Sequence, residues 1–284
     1  MREKKQVNNY RMITFVFAGL AVLASGLVMA GDISKAQKLF DAQDYRAAMI
    51  ELKSTLQESP KDGDARALLG RTYMMLGQAQ AAEKELSRAK EVGAEPAKWA
   101  VSLAEVYVIL GRQKDILQEI PLALLKAPKE KSKLMILHGL SYRHLKKTEK
   151  AKQMFEQALS LDEKNYRATL GIALLATDAS DFDTAYKHID AVLSQEPNNV
   201  NALSQKADLL SKQAKTQDSL AVMDKILELK PDTVRTRIGR AKTHIFLKDR
   251  EKAAIDVDWL MAKYPNLPVV AYLKGSLLFL EGKY

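Results

Sequence analysis

Small residues recur in this chain at a stride of 34. With the eighth position of the first unit set on Ala36, later marks fall on Gly70, Ala104, Gly139, Ala173, Ala207, Ala241 and Gly275, with one inserted residue after Pro128. All eight are Gly or Ala, although only about one residue in six of the chain is either. Such a register signals one structural unit used many times. Position 20 reads Ala48, Ala82, Ile116, Ala151, Ala185, Ser219 and Ala253. Position 24 is always larger and apolar: Leu52, Leu86, Ile120, Phe155, Ile189, Met223 and Val257. Tyr73, Tyr107 and Tyr142 fall at position 11, and Pro60, Pro128, Pro197, Pro231 and Pro265 at position 32.

The pattern predicts two antiparallel helices per unit. Apolar residues spaced by three and four, as in Leu86 and Ala89 or Leu52 and Leu56, form one helical face. Small side chains at positions 8 and 20 let the two helices approach closely, and the larger ones at 11 and 24 fill the space beside the crossing. Gly77, Gly111 and Gly282 stand near position 15 as helix stops, and proline at position 32 ends one helix or opens the next. No alternating strand pattern of useful length is present. Pro121 falls inside the second helix of the third unit and should kink or shorten it. The first helix of the fifth unit admits two registers, on Leu170 and Gly171 or on Ile172 and Ala173.

This pattern resembles the tetratricopeptide repeat, over essentially everything after Gly31. The resemblance implies an all-α fold, a right-handed solenoid of helix pairs over residues 31–284, with about seven repeats and a half. The last half-repeat leaves Leu277, Leu278, Phe279 and Leu280 without a following helix, so the chain reads as a piece of a longer array or a truncated product. The stretches Ala47 to Lys53, Ala65-Arg66, Leu69-Gly70, Ala82 to Leu86, Gly93-Ala94 and Tyr272 to Gly275 are similar to the large tetratricopeptide proteins of bacterial exosortase (PEP-CTERM) and exopolysaccharide-export systems. Those are typically lipoproteins. Here Leu23-Ala24-Ser25 reads like a lipobox, but Gly26 stands in place of the lipidated cysteine.

The N-terminus carries an address. Residues 1–12 are basic and read as a cytoplasmic tail. Residues 13–30, Ile13 to Ala30, contain no charge and end in the small-residue pattern Val28-Met29-Ala30. This fits a cleaved secretory signal and equally an uncleaved anchor helix just long enough to span a bilayer. Either way the positive-inside rule leaves the repeats on the extracytoplasmic face of a bacterial membrane, in the periplasm, anchored or secreted.

Composition narrows the chemistry. The chain has no cysteine, which excludes disulfides, cysteine-ligated metal, cysteine nucleophiles and cysteine lipidation. The net charge of +9 is spread thinly beyond the basic tail, so nucleic acid is not an expected partner. The four histidines, His138, His144, His188 and His244, show no metal-ligand spacing, and phosphate-loop, nucleophile-elbow and dinucleotide motifs are absent. His244 at position 11 reads as a packing residue. Glu83, Glu85, Glu149 and Glu156 alternate with Lys and Arg and read as solvated helix faces with weak pairs. The expectation is a non-enzymatic protein without cofactor or metal.

What the resemblance implies is a groove. In this family the first helices line the concave side, through positions 2, 5, 9, 12 and 13. Here those positions give Arg71, Met74 and Met75 in the second unit, and Lys98, Val108 and Ile109 in the third. The fourth gives Arg143 and His144, and the seventh Arg235, Lys242, Ile245 and Phe246. Such a basic, partly apolar wall suits other proteins or extended peptide segments with some acidic residues. The expected role is an extracytoplasmic scaffold in envelope protein sorting or exopolysaccharide export. The alternative is an accessory that handles the polysaccharide itself. Carbohydrate sites favour exposed aromatic platforms, and Trp99 and Trp259 fall at packing positions 3 and 26.

Overall fold

The computed structural model of the protein describes residues 33–280 and Gly282. The segments 1–12 and 13–30 lie outside the described residues. Among the described residues no helix is long and apolar enough to cross a membrane.

The described chain is helical throughout, with no strand. Helices α1 (Ser34–Asp41) and α2 (Tyr45–Glu58) form the first pair, α3 (Gly63–Met75) and α4 (Ala79–Glu91) the second, and α5 (Pro96–Ile109) and α6 (Gln113–Glu119) the third. Then come α7 (Pro128–His144) with α8 (Thr148–Leu161), α9 (Tyr166–Asp178) with α10 (Phe182–Gln195), and α11 (Val200–Lys212) with α12 (Thr216–Leu229). The seventh pair is α13 (Val234–Phe246) with α14 (Arg250–Lys263), and α15 (Pro268–Leu280) follows alone. Each helix packs on the next in the chain, and first helices of successive pairs also touch, as α3 on α5, α5 on α7 and α7 on α9. Most contacts therefore run between neighbours, the property of a linear repeat array.

The 34-residue register is the packing register. Ala36, Ala104, Ala173 and Ala241 are fully buried at position 8, as are Ala48, Ala82, Ala151, Ala185 and Ala253 at position 20. At Gly70 a Cβ would lie 2.5 Å from Leu86 Cγ, so the close crossing tolerates nothing larger. Both registers of the fifth unit are used. Gly171 faces backward onto the Phe155 ring of α8, whereas Ala173 faces forward into the cluster that holds Ala185 and Ile189 of α10.

Turn geometry repeats as strictly as packing. Position 15 has positive φ in every unit: Gln43, Gly77, Gly111, Lys146, Ser180, Ala214, Lys248 and Gly282. The following N–H reaches back to the carbonyl at position 11, as in Gln78 to Tyr73 and Lys215 to Leu210, both 2.9 Å. This closes the helix end with a left-handed residue. Gly suits that conformation, yet Ala214 adopts it at φ 57° with its side chain exposed. Ala214→Gly should therefore raise stability by about 0.5–1 kcal/mol. A urea midpoint that is unchanged or lower in that variant would show the turn to be unstrained.

Pro121 shortens the third unit's second helix, as its position requires. Helix α6 has seven residues and ends at Glu119, and Pro121 leads into a 3₁₀ turn at Leu122–Leu124. The break leaves the Ile120 carbonyl to be satisfied elsewhere, and the buried His138 of α7 donates to it from Nε2 at 2.9 Å. Burial holds the His138 imidazole below its ordinary value, partly offset by that hydrogen bond, and burial likewise lowers His188 and His244. The unfolded chain then binds more protons than the folded one once the pH drops below about 6.5, so stability is full above that pH and declines below it. His138→Gln should flatten the fall in Tm between about pH 7 and about pH 5. An unchanged slope would mean that His138 does not contribute to it.

Two acidic residues are not the solvated-face groups expected from the alternating charge pattern. Glu85 of α4 is buried and pairs with Arg66 of α3 at 2.6 Å, because the crossing places position 23 against position 4. Glu83 reaches into the next unit to pair with Arg112. The seventh unit repeats the first of these arrangements with the fully buried Asp256 of α14 against Arg237 and Arg240 of α13. In both units the position-4 arginine also donates Nε–H to the proline carbonyl before its helix, Pro60 or Pro231, at 3.0 Å.

Candidate functional site

A groove of about 700 Å³ runs along the first helices of units four to six and reaches the start of α13. Helix α7 contributes Ile136, Leu140 and Arg143, and α9 contributes Arg167, Leu170, Leu174, Thr177 and Asp178. Helix α11 adds Val200, Asn201, Ser204, Gln205, Asp208 and Lys212. Helical spacing explains the set: positions 2, 5 or 6, 9 and 12 or 13 fall on one face, so three parallel helices line up three similar stripes. The lining combines aliphatic Ile136, Leu140, Leu170, Leu174 and Val200 with polar and charged side chains.

The groove has one unanswered polar atom. The side-chain oxygen of Gln205 is buried and has no hydrogen-bond partner. Such an atom costs about 1–3 kcal/mol unless something supplies a donor. Part of the charge inside is balanced by ion pairs. Arg143 clamps Asp178 of the next unit through two contacts of 2.5 and 2.9 Å. Arg235 pairs with Asp208 at 2.6 Å, and Lys263 with Asp232 at 3.0 Å. These partly exposed pairs contribute little stability.

Of the residues expected to line a partner groove, Arg143 and Arg235 border this cavity. Arg235 and Lys242 also border a smaller one of about 210 Å³ against Met223 and Gly239. The others lie elsewhere. Arg71 stacks its guanidinium 4.8 Å from the Phe40 ring, and Lys98 pairs with Asp64. Met74, Val108 and Ile245 pack partly against the core, while Met75, Ile109 and Phe246 are exposed. His144, also exposed, ends α7. The basic wall is thus largely paired within the chain. Units five and six supply most of the groove and were absent from the expected set, although the same position rule applied there would have named Leu170, Leu174 and Ser204.

Aromatic platforms do not line the groove. Trp99 is buried and donates to the Ala94 carbonyl at 3.1 Å, and Trp259 lies between the cations of Arg237 and Lys263, at 4.2 and 4.7 Å. Among the described residues no group of three His, Asp or Glu side chains is placed to hold a metal ion.

Stacked helix pairs joined by left-handed turns, with a groove along the first helices, define a helical-repeat solenoid. The tetratricopeptide-repeat family description matches residues 39–105 and 132–165. Those two segments carry the tetratricopeptide repeat pattern. A tetratricopeptide repeat protein from Parabacteroides merdae superposes with a TM-score of 0.70 at 22% identity, covering 87% of this chain and 97% of that one. The yeast Tom70 gives 0.63 at 13% identity, over 85% of this chain and 52% of its own. Among curated proteins, the mouse DnaJ homolog subfamily C member 3 is 22% identical over 229 residues, which is 79% of this chain and 41% of that protein. Anaphase-promoting complex subunit 3 of Schizosaccharomyces pombe is 23% identical over 141 residues, half of this chain and 21% of its own length. The chain spans less than half of either curated relative.

Proposed function

We propose that this protein is a non-catalytic scaffold that holds an extended segment of a partner protein in the groove over α7, α9 and α11. The observation that carries this reading is the channel of about 700 Å³ itself, lined by three successive first helices with aliphatic Ile136, Leu140, Leu170 and Leu174 beside polar Asn201, Ser204 and Gln205. Binding modes of this kind combine main-chain hydrogen bonds with shallow side-chain pockets. The fold is compatible with such a role: a similar solenoid, at TM-score 0.62 and 13% identity over 87% of this chain and 49% of its own, stands in the APC/C hetero-tetramer Cut9-Hcn1. A photo-crosslinking residue at Leu174 or Ser204 should capture a discrete partner. The same residue at Ile255, exposed on α14, should not. Equal capture from both positions would reject the groove.

We place this work outside the cytoplasmic membrane, on the strength of the charge-free run from Ile13 to Ala30 behind a basic tail. The motif resemblance to exosortase and exopolysaccharide-system proteins makes envelope sorting or polymer export the setting. A role in recruiting proteins fits better than handling the polymer, because both tryptophans are committed to internal contacts. N-terminal sequencing of the protein extracted from membranes tests the placement: a start at Gly31 or an intact anchor supports it, and a cytosolic full-length chain rejects it.

A further inference from the structure

The register slips once in the array, and the slip builds a second feature. Helix α7 begins at Pro128 and runs for 17 residues, against 13 or 14 in the regular first helices from α3 onward; the inserted residue supplies one of the extra residues, and the rest come from an earlier start in the register. The helix before it, α6, is cut to seven residues by Pro121. The longer start of α7 and the turn before α9 enclose a pocket of about 620 Å³. It shares Ile136 and Arg167 with the main groove, so the two are continuous.

Its charge differs from the rest of the channel. Lys129, Lys133 and Lys164 line it, and none has an ion-pair partner among the described residues, while Arg167 has only Glu105 at 4.0 Å. Asp162 is the acid on its wall, and one of its oxygens accepts from the Lys164 backbone N–H at 3.2 Å. Deeper in the channel the arginines are neutralised by aspartates. Lys212 and Lys230 also line the channel without ion-pair partners among the described residues, so the contrast is one of degree: four cations face one acid in the pocket, and four cations face three aspartates along the rest of the groove.

We propose that this pocket anchors an acidic stretch of the partner segment, with the remaining, neutral part lying along the groove. The inference rests on the groove reading above and adds the direction and chemistry of the occupant. Acidic side chains within the segment are enough; a terminal carboxylate is not required. A nucleic acid suits the channel less well, because its regularly spaced phosphates would run past Asp178, Asp208 and Asp232, whereas a peptide can place neutral residues there.

A random peptide display library, with blocked termini, panned on the full chain tests this. The expected result is enrichment of peptides with Asp or Glu clustered at one end. Reversing two cations, Lys133→Glu with Lys164→Glu, should weaken those peptides by about tenfold, with loss of salt sensitivity. Filling the groove by Leu174→Arg, or by Ser204→Arg as a second blocking variant, should abolish capture of acidic and neutral peptides alike. Enriched peptides without acidic bias, or full affinity in the charge-reversed variant, would overturn the acidic anchor and leave the groove standing. No enrichment over the groove-filled variants would overturn both. Preferential displacement of selected peptides by single-stranded DNA would assign the pocket to a polyanion instead.

Discussion

Asp256→Ala is expected to cost about 3–5 kcal/mol and to unfold the last helices first. Asp256 is fully buried, and its two oxygens meet Arg237 Nη1 at 2.8 Å, Arg240 Nε at 2.7 Å and Arg240 Nη2 at 2.9 Å. Both arginine side chains are themselves mostly covered, at 12% and 18% exposure. Removing the carboxylate leaves two guanidinium groups with too little compensation: Arg240 keeps Asp224 at 2.6 Å, and Arg237 keeps the Pro231 carbonyl and the Trp259 face. Asp256→Asn retains part of the hydrogen bonding and should lose less. Hydrogen exchange on the full chain gives the readout, because nearest-neighbour coupling lets α13 to α15 open before the rest. Wild-type protection in α13 of the alanine variant would mean that the buried network does not hold this end.

Gly139→Leu should cost about 3 kcal/mol, at the upper end of overpacking effects, whereas Gly275→Leu at the same register position should cost nothing. At Gly139 a Cβ would stand 2.6 Å from Phe155 Cε1. The ring is fully buried and cannot retreat, because Gly171 closes on it from the other side, where a Cβ would stand at 2.4 Å. At Gly275 a Cβ meets nothing within 4 Å, and leucine is the better helix former by about 1 kcal/mol. Calorimetry should show a lowered Tm and a split transition for Gly139→Leu. Phe155→Leu in the same chain should recover part of the loss. Equal behaviour of the two glycine variants would refute the close crossing.

The groove was only partly legible in the sequence. The position rule, which came with the family resemblance, located the face. It did not reveal that Arg143, Arg235 and Lys98 are neutralised by aspartates one unit away, because the stride places charges on neighbouring helices while side-chain reach decides which of them meet. Glu85 misled for a related reason. Its sequence neighbours are charged, yet the helix crossing turns it toward Arg66. The Gln205 oxygen is one polar atom among many in the sequence and is distinguished only by being buried without a partner.

The sequence alone determined the repeat and its two helices, because the small residues at positions 8 and 20 leave one close crossing that the helices can make. It also determined the break at Pro121, since a missing N–H and a fixed φ act on the local backbone whatever surrounds them. Tertiary structure decided how one unit meets the next: which stripe of Gly171 and Ala173 faces backward, which acids become buried, and where the early start of α7 forms a basic pocket. Those outcomes depend on the rotation and offset between stacked pairs, and a residue's own sequence neighbours carry no record of that geometry.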